Sequence, residues 1–166
     1  DLDQVAVAEL AVGDRLRVRV GDAVPVDGVP FLRDLPGMPA PLAQTTHRWR
    51  FLSTAGQLLW GVLRWEMAGG KEMRPLSLWR DRETGSLMWR LACPPRPRPL
   101  YGLDTLNNRD VLVVEGEKTR DAAAILAPHL SCVTWHGGAD AVQSQDWTPL
   151  RGRNVLIWPD ADEAGH

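Results

Sequence analysis

From residue 47 onward the chain alternates short apolar-rich runs with turn-forming residues. HRWRFL (47–52), LLWGVLRWEM (58–67), EMRPLSLW (72–79) and SLMWRLA (86–92) are separated by STAGQ, AGGK and RDRETG. Runs of this length and punctuation predict an antiparallel meander over 47–100. Upstream, VAVAEL (5–10) leads into Gly13-Asp14, and RLRVRV (15–20) alternates arginine with aliphatic residues. Residues 1–30 therefore read as a small β segment with Arg15, Arg17 and Arg19 on one solvent face. Four prolines and Gly37 within 30–46 predict a linker over 31–46. CPPRPRPLYGL (93–103) is too rich in proline for regular structure and reads as an extended connector.

After that connector the period changes. DVLVVEGE (110–117) carries a continuous aliphatic run of the kind buried on both faces of a parallel sheet. TRDAAAILAPHL (119–130) predicts a helix with Thr119 as N-cap, SCVTW (131–135) a strand, ADAVQSQDW (139–147) a second helix and NVLIW (154–158) a third strand. The order is β-α-β-α-β, a parallel sheet with helices on its faces over 101–166. The expected fold is of the mixed α+β or α/β class: small antiparallel parts followed by an incomplete parallel sheet.

Composition narrows the function classes. With 44% hydrophobic and 24% charged residues the 166-residue chain can bury a core. No apolar run approaches the roughly 20 residues of a spanning helix, and no secretory leader pattern is present, so neither a membrane nor a secreted protein is expected. Cys93 and Cys132 are too few and too far apart for a disulfide framework or a zinc site, so a reducing cytoplasm is the expected compartment. The net charge of −2 conceals an asymmetry. Residues 41–100 hold ten basic and four acidic side chains, whereas residues 101–166 hold five basic and ten acidic. A cationic segment next to a carboxylate-rich one suits a protein that handles phosphates and a metal ion. Five of the eight tryptophans (49, 60, 65, 79 and 89) lie among the arginines of the meander. Such a mixture serves either as a core under a wet arginine face or as a stacking surface for single-stranded nucleic acid.

Two of the aliphatic strands end in acids. Glu115 follows VLVV, and Asp160 follows VLIWP with Asp162 two residues on. In a parallel sheet these ends lie on the carboxyl edge, where open α/β folds bind their ligands. Crowded carboxylates need a cation, and an oxygen-only set suits magnesium or manganese. Gly116 permits a tight turn, Gly137-Gly138 leaves open space, and Lys118 stands at a helix N-terminus favourable to phosphate. On spacing alone, a helix cap at Glu115 and Glu117 with an exposed acidic turn at Asp160 and Asp162 fits equally well.

VLVVEGEKTRDAA, VTWHGGADAV and DWTPLRGRNVLIWPDADEAG together resemble the Toprim domain of phage and plasmid primases and primase-helicases. WRFLSTAGQLLWGVLRWEMAGGKEMRPLSLW followed by PLYGLDTL is similar to the small basic domain that precedes Toprim, so the likeness spans 47–166. The resemblance implies a primase-type nucleotidyltransferase that makes RNA primers on single-stranded DNA. Glu115 would hold metal or act as general base, Asp160 and Asp162 would hold magnesium, and Arg64, Lys71 and Arg74 would contact nucleotide phosphate or template. Implied partners are single-stranded DNA, nucleoside triphosphates and a replicative helicase.

Three departures frame the alternatives. The helix and strand that complete a Toprim sheet do not follow Asp162 before His166, and no cysteine-rich zinc module is present. Residues 2–30 resemble a short piece of the actuator domain of heavy-metal P-type ATPases, yet the Asp-Lys-Thr-Gly and Thr-Gly-Glu motifs of those pumps are missing. The chain thus reads as a truncated or recombined one, with the third strand's edge open to other partners. An inactive nucleic-acid-binding module is the alternative from another class. Toprim-type strand cleavage is a further one, but its topoisomerase form needs a nucleophilic tyrosine, and Tyr101 in its connector reads as packing. His136 reads as a satisfied loop histidine and Cys132 as a small buried group.

Overall fold

The structure is a computed structural model that describes residues 2–5 and 37–160. VAVAEL beyond Val5, RLRVRV, the first part of the expected linker and Asp162 lie outside the described residues. The chain divides into two compact units, one from Asp1–Arg50 with Gln57–Pro94 and one from Phe51–Gly56 with Pro95–His166.

The first unit is an antiparallel sheet of β1 (Leu2–Val5), β2 (His47–Leu52), β3 (Leu58–Met67), β4 (Gly70–Asp81) and β5 (Leu87–Arg90), in the order β1-β4-β3-β2 with β5 also paired to β4. β2 and β3 coincide with the runs read from the sequence, and β4 extends two residues beyond its run at each end. Met67 pairs with Gly70, so Ala68-Gly69 forms a two-residue hairpin turn. Among the described residues, Pro75 pairs with Val62 where β4 has a neighbour on one side only, because β1 and β5 pair with β4 from Ser77 onward. Leu42, Leu63, Trp65 and Leu76 form a buried cluster with Met38 and Ala40 against it. Part of the segment expected to be a linker thus packs into this core, because Leu42 is apolar and the Trp65 indole N–H donates to the Pro41 carbonyl at 3.2 Å.

The second unit is a parallel three-stranded sheet of β6 (Val111–Val114), β7 (Ser131–Val133) and β8 (Val155–Trp158), in the order β7-β6-β8. Its helix α1 (Glu117–Leu126) links β6 to β7. Val111 and Val113 join Leu100, Leu103, Trp135 and Leu150 on one face, while Leu112 and Val114 join Ala123 and Cys132 on the other. Both faces of β6 are covered, which is the physical reason for its unbroken aliphatic run. Leu100 and Leu103 make the proline-rich connector part of this core.

One expectation gives way here. The segment 139–147 forms no α-helix but a 3-10 helix at Ala139–Ser144, followed by another at Thr148–Leu150. Asp146 and Thr148 close a local side-chain turn between them that competes with helix continuation. The aliphatic β8 is exposed along all four residues, with Ile157 73% exposed, since among the described residues only β6 flanks it. Among the described residues no helix is long and apolar enough to cross a membrane.

Candidate functional site

The connection leaving β6 passes over one face of the sheet, and the one leaving β7 crosses to β8 over the other. Connections that diverge in this way open a crevice at the carboxyl ends of the strands between them. Glu115 and Gly116 follow β6 onto that carboxyl edge, and His136, Gly137 and Gly138 follow β7 onto it. Gly116 takes φ +79° and serves as the N-cap of α1 in place of the expected Thr119. A side chain there is strained, and the glycine leaves the helix without a side-chain cap. The first N–H groups of α1 therefore face the carboxyl edge with the positive end of the helix dipole. Lys118 is exposed in this first turn.

The structure places Glu115, partly buried, one residue past β6. The parallel register pairs Val114 with Trp158, so Asp160 follows on the neighbouring strand two residues past its end. Glu115 and Asp160 thus share the carboxyl edge on adjacent strands, as the sequence predicts. Asp162 lies outside the described residues. Among the described residues no group of three or more histidine, cysteine, aspartate or glutamate side chains is gathered to hold a metal. The two described carboxylates are hard oxygen donors on one edge, a chemistry that fits magnesium or manganese better than a soft metal.

Sequence reasoning passed over two groups. Glu117, read only as a possible cap, is 4% exposed and its Oε1 lies 2.8 Å from His136 Nδ1. This contact ties the β6–α1 turn to the loop after β7 and orients the imidazole on the ligand edge. Behind it, Arg120 is buried on α1. Its Nε donates to the Cys132 carbonyl at 2.8 Å, its Nη2 to Thr105 Oγ1 at 2.6 Å, and its guanidinium lies 5.0 Å from the Tyr101 ring centre. Gly102 holds φ +93°, and a Cβ there would come within 2.6 Å of both Arg120 Nε and the Cys132 carbonyl. The sequence signal for this cradle was a glycine beside an aromatic residue at the end of the connector, which composition alone does not distinguish from a loop glycine.

Tyr101 donates to Asp121 Oδ1 at 3.0 Å. Burial first, and the Asp121 carboxylate second, push its phenol well above the ordinary value of 10.0. A phenolate nucleophile is correspondingly disfavoured. Burial likewise raises the Cys132 thiol, which the Arg120 charge partly opposes, in keeping with a packed side chain inside β7.

The basic residues named from the sequence sit on the antiparallel unit and do not share one face. Arg64 pairs with Met73 and Lys71 with Glu66, which puts Arg64 and Lys71 on one side of the hairpin. Arg74 pairs with Leu63 and so lies on the other side. Arg64 is bound to Glu66 with Nη2–Oε1 at 2.5 Å, and Arg74 to Glu72, so both charges are compensated locally. Lys71 is exposed. Trp49, Trp60 and Trp65 are buried and offer no ring to a base, whereas Trp79 is half-buried with the Arg90 guanidinium 5.8 Å from its ring centre.

Comparison with protein-family models and with curated proteins returns no match for this chain.

Proposed function

We propose that the chain is a primase-type nucleotidyltransferase domain of the Toprim kind, acting through Glu115, Asp160 and Asp162 on nucleoside triphosphates and a single-stranded DNA template. The observation that carries the reading is the pairing of β6 with β8 in parallel register, which brings Glu115 and Asp160 to one edge of the sheet. The uncapped N-terminus of α1 on the same edge and the exposed Lys118 support it, since both favour phosphate oxygens. Glu115, Asp160 and Asp162 would hold magnesium or manganese, which when bound supplies neutralisation of phosphate charge. Gly116 takes the positive φ of the turn after Glu115, and the Glu117–His136 contact ties that turn to the loop after β7. Tyr101 packs against Arg120 and is tied to Asp121, which argues against tyrosine-mediated strand cleavage.

The test is primer synthesis by the purified chain on a single-stranded template with ribonucleoside triphosphates and magnesium. Glu115→Gln and Asp160→Asn are each expected to lower synthesis by about 100-fold or more while leaving oligonucleotide binding nearly intact. Primers made at the unsubstituted rate by either variant would remove the assignment, and template binding without synthesis by the unsubstituted chain would favour a binding module instead.

A further inference from the structure

The opposite edge of the parallel sheet carries a second concentration of charge. Asn108, Arg109 and Asp110 lead into β6, and Arg151, Gly152, Arg153 and Asn154 lead into β8. Since the strands are parallel neighbours with Val111 paired to Val155, the two loops meet side by side. The Val111 N–H donates to the Asn154 carbonyl at 2.9 Å, and Asn154 Nδ2 donates to Asp110 Oδ1 at 3.0 Å. Gly152, at φ +74°, reverses the chain between Arg151 and Arg153. The loops line a cavity of about 380 Å³ walled by Asn108, Arg109, Arg151, Arg153 and the Asp110–Asn154 pair.

Three arginines and one aspartate line this cavity, and the aspartate carboxylate already accepts a hydrogen bond from Asn154. Two of the three are held in place by neutral acceptors. Arg109 Nη1 donates to the Pro128 carbonyl at 2.5 Å. Arg153 Nε donates to the Pro149 carbonyl at 3.1 Å, and its Nη1 donates to the Asn107 carbonyl. Carbonyl partners orient a guanidinium without cancelling its charge. Each guanidinium has five N–H donors, so both keep donors to spare. The exposed Arg151 side chain makes no hydrogen bond or ion pair among the described residues. Ligand sites for apolar molecules are lined mainly by hydrophobic and aromatic side chains. This cavity has no aromatic residue in its wall, so it has nothing on which a base could stack.

We propose that this cavity is a phosphate-binding site on the amino edge of the parallel sheet. Planar forks of preset orientation match phosphate oxygens in pairs, and like charges brought together in this way are relieved by an anion. The phosphate groups come from a nucleic-acid backbone or from a free polyphosphate. The site goes beyond the proposed function and does not rest on it, because no residue in it belongs to the carboxyl edge.

The test uses the full chain without divalent ions, with Arg151→Ala, Arg151→Glu and, as a second exposed position, Asn108→Asp. One arm titrates sodium tripolyphosphate by calorimetry, and the other titrates an oligothymidylate by fluorescence anisotropy at several salt concentrations. Arg151→Glu is expected to weaken tripolyphosphate binding by about tenfold or more, with Asn108→Asp acting in the same direction. The thermal midpoint of each variant without ligand stays that of the unsubstituted chain. If the backbone of a nucleic acid is the source, Arg151→Ala also lowers the salt slope of oligothymidylate binding by about 1. A change confined to the tripolyphosphate arm assigns the site to a free polyphosphate. Unchanged binding in both arms for variants that fold would overturn the proposal, whatever primer synthesis shows.

Discussion

At the scale of single residues, the second unit depends on contacts that no motif announces. Gly102→Ala must both hold φ +93° and displace Arg120 or the Cys132 carbonyl, so its loss of stability is expected to be about 2 kcal/mol or more by urea unfolding. A change smaller than the error of that measurement would mean that the cradle is loose. Tyr101 offers a pH test, because it is the only tyrosine of the chain. Its phenol is raised above 10.0 by burial and by Asp121, so the folded chain keeps the proton where the unfolded chain loses it. This contribution is whole below pH 10.0 and is lost as the pH climbs beyond that value. The phenolate absorbance of the native chain should therefore rise at higher pH than that of the chain in denaturant, and coincident titrations would refute the assignment. The candidate acids were legible at this scale because Glu115 and Asp160 stand at the ends of aliphatic runs. Glu117 and Arg120 were not, because their burial follows from partners 19 and 12 residues away, His136 and Cys132.

Whole elements were read best where one local period decided the outcome. β2 and β3 follow from strand-forming residues bounded by turn residues, and β6 from an unbroken run that both of its faces need. The failures arose where tertiary context decides. The segment 139–147 has helix-compatible spacing, but side-chain turns at Asp146 and Thr148 and the flanking Gly138 hold it to 3-10 geometry. Sequence gives the same description of β6 and β8, yet the structure buries one and leaves the other exposed. Leu112 and Leu156 make that contrast measurable, since they pair across the two strands at 5% and 53% exposure. Leu112→Ala should cost about 2–5 kcal/mol and Leu156→Ala about 1 kcal/mol or less, read as shifts of the unfolding midpoint. Equal losses would show that something covers β8 in solution.

For the molecule as a whole, the fold class was legible because the period changes near residue 110, and the basic and acidic segments fall on the antiparallel and parallel parts. The nucleic-acid surface expected on the meander was less legible, because sequence does not tell on which side of a hairpin an arginine stands or whether a glutamate two residues away neutralises it. Arg64 and Arg74 illustrate both points. The proposed function requires that the carboxyl edge have the capacity to hold a divalent ion. Manganese binding by the full chain, followed by electron paramagnetic resonance in parallel with Glu115→Gln and Asp160→Asn, measures that capacity without requiring turnover. The account predicts saturable binding to the unsubstituted chain that magnesium displaces, weakened by about tenfold or more in each variant. Binding of equal strength in all three chains, or no binding in any, would contradict it.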